Sequence, residues 1–279
     1  MGLALWLSLL SQAAFAGDKP AIVLTAFGTS TAAFETYGQI EAKVKERFPG
    51  YEVRWAFTSR KVRQKVGEEQ GRKLNDLPRT LQELQDAGFT RVAVQSLHLV
   101  PGKEWETKII QESRQVPGVK IVLGKPLMSS KEDQTRVLDA LGKTFPKDLK
   151  DTAVVLVGHG SPNPQGEAAY LALEKLLHSR YPGQNVFLGV VEGKPTRDAA
   201  LDAVKRSGAT AVVLTPFLLV AGEHVDKDIL GDDPESWKSR LLKERPYRLT
   251  GIRKGLGYQD EIVAIYLDHL DAALKSLAK

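Results

Sequence analysis

Short runs of aliphatic and β-branched residues alternate along this chain with stretches in which apolar side chains recur every three or four positions. That alternation is the pattern of parallel strands crossed by helices. Ala21 to Ala26 (AIVLTA) reads as a buried strand, almost wholly apolar as strands covered on both faces are. Phe34, Tyr37, Ile40, Val44 and Phe48 follow at helical spacing, and Pro49-Gly50 ends that helix. Tyr51 to Phe57 is a second strand, Leu77 to Ala87 a helix closed by Gly88, and Arg91 to Val100 a third strand. Ile121 to Leu123 is a fourth, and Ser130 opens a helix with Asp133 as its capping partner.

At Ala153 (AVVLVGHGS) the pattern restarts, and the two halves can be laid on one another. AFGTS from Ala26 matches GHGS from Gly158, and ERFPGYEV from Glu46 matches SRYPGQNV from Ser179. AGFTRVAVQSLHLVPGKEWE from Ala87 aligns with SGATAVVLTPFLLVAGEHVD from Ser207 without a gap. The fold expected is α/β, internally duplicated into two similar lobes, each a parallel sheet flanked by helices. The polar stretch 145–152 (FPKDLKDT) divides them, giving lobes 17–148 and 149–279.

Residues 1–16 (MGLALWLSLLSQAAFA) stand apart, since they are uncharged, apolar from Leu3 to Leu10, and end in the small-x-small pattern Ala14-Phe15-Ala16. They read as a signal peptide, with a mature chain starting at Gly17 in the periplasm. The competing reading is a short buried N-terminal segment of a cytoplasmic protein. No apolar run is long enough to span a bilayer.

Composition narrows the chemistry. The 279 residues hold 39 Lys and Arg against 34 Asp and Glu, a net +5 scattered along the chain, which disfavours nucleic acid and suits a small anionic ligand. There is no cysteine, so disulfides, thiolate metal sites and a cysteine nucleophile are excluded, and any metal must be held by His, Asp or Glu. Only five His exist.

Open parallel sheets bind ligands beyond the carboxyl ends of their strands. The repeat puts Phe27 and His159 after the first strands, Ser59 and Glu192 after the second, and Glu104 and His224 after the third. His159, Glu192 and His224 thus stand at three strand ends of the second half, a set largely replaced in the first. Two imidazoles and a carboxylate suit divalent Co, Fe, Ni or Zn, and three protein ligands leave coordination positions open. The same groups can accept protons. Asp226 and Asp228, just after His224, can orient its ring. The bland alternative is two hydrogen-bonded loop histidines and a surface carboxylate.

VLTAFGTS from Val23, VLVGHGSPNP from Val155, VVEGKPT from Val190 and FLLVAGEHVDKDILGDDPESW from Phe217 resemble the anaerobic cobalt chelatases of the CbiK type. The resemblance covers essentially the whole mature chain, and the leader resembles exported members of that family. It implies a two-lobed fold around a cleft and insertion of Co(II), with Fe(II) as a second metal, into sirohydrochlorin. It assigns metal binding and proton abstraction to His159, His224 and Glu192. The eight carboxylates of that macrocycle call for cationic partners, for which Arg60, Lys61, Lys103 and Lys194 lie near strand ends. The competing function is a periplasmic carrier of a tetrapyrrole or metal that performs no chemistry; a homo-oligomer fits either. His98, whose repeat partner is Leu218, is a structural residue or an accessory ligand for haem or metal between subunits. Trp55 and Trp105 pack in the interior or lie against a flat macrocycle, and His178 and His269 receive no role.

Overall fold

The computed structural model describes residues 20–279; the expected signal peptide and the cleavage point before Gly17 lie outside them. The first half runs β1 (Ala21–Ala26), α1 (Glu35–Arg47), β2 (Val53–Phe57), α2 (Arg60–Gln70), α3 (Leu77–Asp86) and β3 (Arg91–Ser96). A π-helical turn, Trp105–Ile110, leads into α4 (Gln111–Ser113), then β4 (Lys120–Gly124) and α5 (Lys131–Gly142). The second half repeats the plan with β5 (Thr152–Gly160), α6 (Pro164–Arg180), β6 (Val186–Glu192), α7 (Arg197–Ser207) and β7 (Ala211–Phe217). A second π-helical turn, Val225–Ile229, precedes α8 (Trp237–Glu244), β8 (Arg248–Gly251) and α9 (Asp260–Leu277).

Two four-stranded parallel sheets result, ordered β2-β1-β3-β4 and β6-β5-β7-β8. β1 and β5, the strongly apolar runs of the sequence, are inner strands whose alternate residues feed different cores. Ile22 and Leu24 join Leu156 and Tyr170 in one cluster that runs through both lobes. Ala21 and Val23 pack outward on Leu77 and Leu81, and Val155 and Val157 on Leu201 and Trp237.

The sequence division after 148 allots α9 to the second lobe, yet the helix lies on β3 and β4 of the first sheet. Its buried stripe, Ile262, Ile265, Tyr266 and Leu270, completes the shared cluster, and the Tyr266 hydroxyl donates to the carbonyl of Leu97 at 3.1 Å. His269 fastens the same helix: Nε2 is 3.1 Å from Asp133 and Nδ1 3.0 Å from the Lys125 carbonyl. Asp133 also takes the capping place expected of it, its N–H donating to Ser130 at 3.0 Å. The third strand ends at Ser96 rather than Val100, because the chain turns into the loop that carries His98.

Candidate metal centre

β5 delivers His159 at its carboxyl end, between Gly158 and Gly160, and both glycines are forced. A Cβ on Gly158 would stand 2.8 Å from the Tyr170 ring. At Gly160, where φ is +87°, it would stand 1.8 Å from the carbonyl oxygen of Glu192. The chain can therefore turn immediately past the histidine and leave its ring exposed. His224 is held differently, as the residue just before the π-helical turn 225–229. That widened turn sets Asp228 below it, with Nδ1 of His224 2.5 Å from Oδ2. A carboxylate accepts only, so Nδ1 carries the proton and the lone pair of the neutral ring lies on Nε2.

The two rings meet with centroids 5.0 Å apart and planes at 79°. An ion about 2.1 Å from one nitrogen of each ring sits roughly 3.2 Å from each centroid, and a tetrahedral angle there separates the centroids by about 5 Å. The observed spacing is that of two imidazoles able to share one ion.

Glu192 is not gathered with them. Among the described residues no three His, Asp or Glu side chains form a set compact enough to hold an ion. Register explains this: Glu192 pairs with Gly160, one step beyond His159, and its carbonyl takes the Ser161 N–H at 3.1 Å. Successive strand residues alternate faces, so the carboxylate is off the rung that carries the histidine. It remains exposed at the same sheet end.

Loops of the two lobes face each other here. A Cβ on Gly222 would be 2.8 Å from Thr29 Oγ1, one on Gly102 would be 3.0 Å from Ser161 Oγ, and Asn163 donates to Glu106 at 3.1 Å. Lys65 of α2 draws near enough to help Lys227 hold the Glu223 carboxyl below its ordinary range. Arg60, Lys61, Lys103 and Lys194 are all exposed, and none of the four forms an ion pair among the described residues. Beside Asp228 opens a cavity of about 460 Å³, lined by Val191, Gly193, Arg197, Lys227 and Trp237 among others.

His98 lies in the first lobe with Nδ1 3.2 Å from Ser96 Oγ and Nε2 3.5 Å from Thr58 Oγ1. Burial pushes its pKa down to about 4, against the pull of the Glu104 carboxylate. Both nitrogens face hydroxyls of the same chain, so the expected haem ligand finds no support in this geometry. Glu104 stands just before the first π-helical turn as His224 stands before the second, and its buried Oε2 has no hydrogen-bond partner. Trp55 is structural: it stacks on Phe57 at 5.7 Å and donates to Glu41 at 2.6 Å. Trp105 packs with Leu77 and Leu81 behind the first sheet, and His178 is exposed on α6.

A family model described as cobalt chelatase (CbiK) matches residues 20–275. The chain is 37% identical over 264 residues to the sirohydrochlorin cobaltochelatase CbiKC of Nitratidesulfovibrio vulgaris, covering 93% of this chain and 92% of that one. It is 32% identical over 261 residues to the sirohydrochlorin cobaltochelatase of Salmonella typhimurium, covering 92% and 97%. Among solved structures, SirB from Bacillus subtilis with Fe3+ superposes with a TM-score of 0.64 at 18% identity, over 94% of this chain and 98% of that one. The cobalt complex of the sirohydrochlorin chelatase SirB from Bacillus subtilis subspecies spizizenii gives 0.63, also at 18% identity, over 92% and 96%. These last two share the fold.

Proposed function

This chain belongs to the CbiK cobalt chelatase family, and from that premise we propose that it inserts Co(II) into sirohydrochlorin, with the metal presented by His159 and His224. The 5.0 Å separation of the two rings carries the reading. In the net reaction Co2+ replaces two pyrrole N–H protons, so two protons must leave as two of the new Co–N bonds form. Two imidazoles leave positions open on the ion for the incoming pyrrole nitrogens. We assign Glu192 to taking a proton rather than completing the ligand set, a reading supported by its exposure at the same sheet end and its register one step beyond His159. Glu104, with its unpartnered oxygen, stands at the matching place in the first lobe. The exposed cations Arg60, Lys61, Lys103 and Lys194 supply charge for the carboxylate rim of the macrocycle. The uncharged apolar start followed by Ala14-Phe15-Ala16 supports export to the periplasm. N-terminal sequencing of protein from the native host tests that point, and an intact Met1 defeats it.

The deciding experiment follows the absorption spectrum of sirohydrochlorin after addition of protein and Co(II), with Fe(II) in parallel. The parent is expected to convert it to the metal complex well above the uncatalysed rate, and His159→Ala and His224→Ala to lose most of that rate. Because both rings serve one ion, the double variant should be scarcely worse than either single one. A parent that binds the macrocycle without accelerating insertion is a carrier instead. Insertion at the parent rate by both single variants removes the histidines from the mechanism.

A further inference from the structure

Phe27 is 49% exposed, although a ready-made aromatic core lies next to it. Phe34, Tyr37, Trp55 and Phe57 form a chain of ring contacts with neighbouring centroids 5.1–5.7 Å apart, and Phe27 stays outside their cluster. A single exposed apolar side chain needs no explanation by itself; its place does. Phe27 follows β1 as His159 closes β5, the same position in the two repeats. Its backbone is pinned there: the carbonyl takes the Ser59 N–H at 3.1 Å, and Gly28 turns the chain at φ +102°. Two residues on, Thr29 abuts Gly222, itself two residues before His224. Phe27 therefore stands, exposed, beside the contact between the two lobes and on the lobe opposite the histidines. On the histidine side Val191, 46% exposed, adds a second apolar surface at the end of β6.

We propose that Phe27 is the platform for one face of the tetrapyrrole, holding the ring flat while His159 and His224 present the metal to the other. The inference rests on the chelatase reading and deepens it. A conjugated macrocycle rimmed with carboxylates has apolar faces and a charged edge, and these strand ends offer an exposed aromatic ring together with the exposed cations Arg60, Lys61, Lys103 and Lys194. Filling the His159-equivalent position with phenylalanine keeps the first lobe from competing for the ion. It also gives the macrocycle a surface that needs no hydrogen-bond register.

The test is a titration of metal-free sirohydrochlorin, followed by its own absorption and fluorescence, into the parent, Phe27→Ala and Phe27→Tyr. Phe27→Ala should weaken binding about tenfold, the usual cost of losing an aromatic stacking surface. KM for sirohydrochlorin should rise in step, while kcat changes less. Phe27→Tyr should stay within roughly twofold of the parent, since its ring presents the same face. Co(II) binding measured without macrocycle should be the same in all three. Macrocycle binding by Phe27→Ala at the parent Kd overturns the platform. So does a loss of Co(II) affinity equal to the loss of macrocycle affinity, which would mark Phe27 as a support of the metal site. The titration contains no metal, so a parent that binds sirohydrochlorin but inserts no Co(II) refutes the chelatase reading alone.

Discussion

Asp228→Ala should cost about tenfold in Co(II) affinity while leaving the rate at saturating Co(II) within a few-fold of the parent. At the π-helical turn 225–229 and just before it, three carboxylates crowd near His224 and each has its own partner. Glu223 is paired with Lys227, Asp226 with Arg253, and only Asp228 reaches the imidazole, at 2.5 Å. Its removal lets the ring rotate and lets either nitrogen carry the proton, so the lone pair is no longer committed to Nε2. Carboxylate partners of metal-bound imidazoles are generally worth 10- to 100-fold in affinity, on the order of 1.4 to 2.7 kcal/mol. Here the His224 and Asp228 side chains keep 46% and 45% of their exposure, and solvent screening places the effect at the low end of that range. Asp228→Asn, whose amide oxygen can still accept from Nδ1, should lose only about two- to threefold. Co(II) titrations without macrocycle measure the affinity, and insertion rates at limiting and saturating Co(II) separate binding from chemistry. Equal affinity in Asp228→Ala and the parent refutes the orienting role. A loss as deep as that of His224→Ala would mean that Asp228 is itself a ligand.

Two further outcomes follow from the same geometry. Gly160→Ala should lower stability by about 3 kcal/mol or more, since it combines a left-handed φ with a Cβ 1.8 Å from the Glu192 carbonyl oxygen. Gly183→Ala, with φ +68° and open space around it, should cost only about 1 kcal/mol. Thermal melts of the two variants compare them directly, and a Gly160→Ala melt equal to the parent's would be inconsistent with a forced glycine. His98 sets an acid limit: it stays neutral in the folded chain down to about pH 4, while the unfolded chain takes up that proton near 6.5. Protons therefore favour the unfolded state in that window, and stability should fall by up to about 3 kcal/mol as pH drops from 6.5 to 4. His98→Leu, the residue that the second repeat carries at Leu218, should flatten this slope. Urea midpoints at pH 7, 5.5 and 4.5 with the same fall in both proteins would exclude His98 as its source.

How far the sequence carried can be read from individual elements. β1 and β5 were legible because inner parallel strands must be apolar on both faces, and the strand-end positions followed once the repeat was aligned. α2 was not legible, since Val66 is its one buried residue and RKVRQKVGEEQ shows no apolar stripe. Its start rests on Ser59 accepting the Val62 N–H, and its end on Gly71 at φ +63°. The packing of α9 on the first sheet was hidden because periodicity shows that a helix has a buried face without naming the surface that covers it. Glu192 shows the same limit at the site. The repeat places it at a strand end, but only the register, Gly160 opposite Glu192, reveals that its rung is not the histidine's.

That register bears on how a duplicated fold comes to hold one site. Duplication gives each sheet a position after its inner strand and another before a π-helical turn, and the loops of the two sheets meet across the cleft. Identical filling would set two metal-binding faces against each other, with both competing for one ion and no apolar surface left for a flat ligand. The chain instead has His159 and His224 in one half, and Phe27 and Glu104 at the same two places in the other. On the proposed reading, metal approaches one face of the macrocycle from the second lobe, while the ring rests on Phe27 of the first. The shared core through Leu24, Leu156 and Tyr266 then fixes the distance between the two faces. Neither lobe alone holds both chemistries, so the reacting geometry belongs to the packed pair.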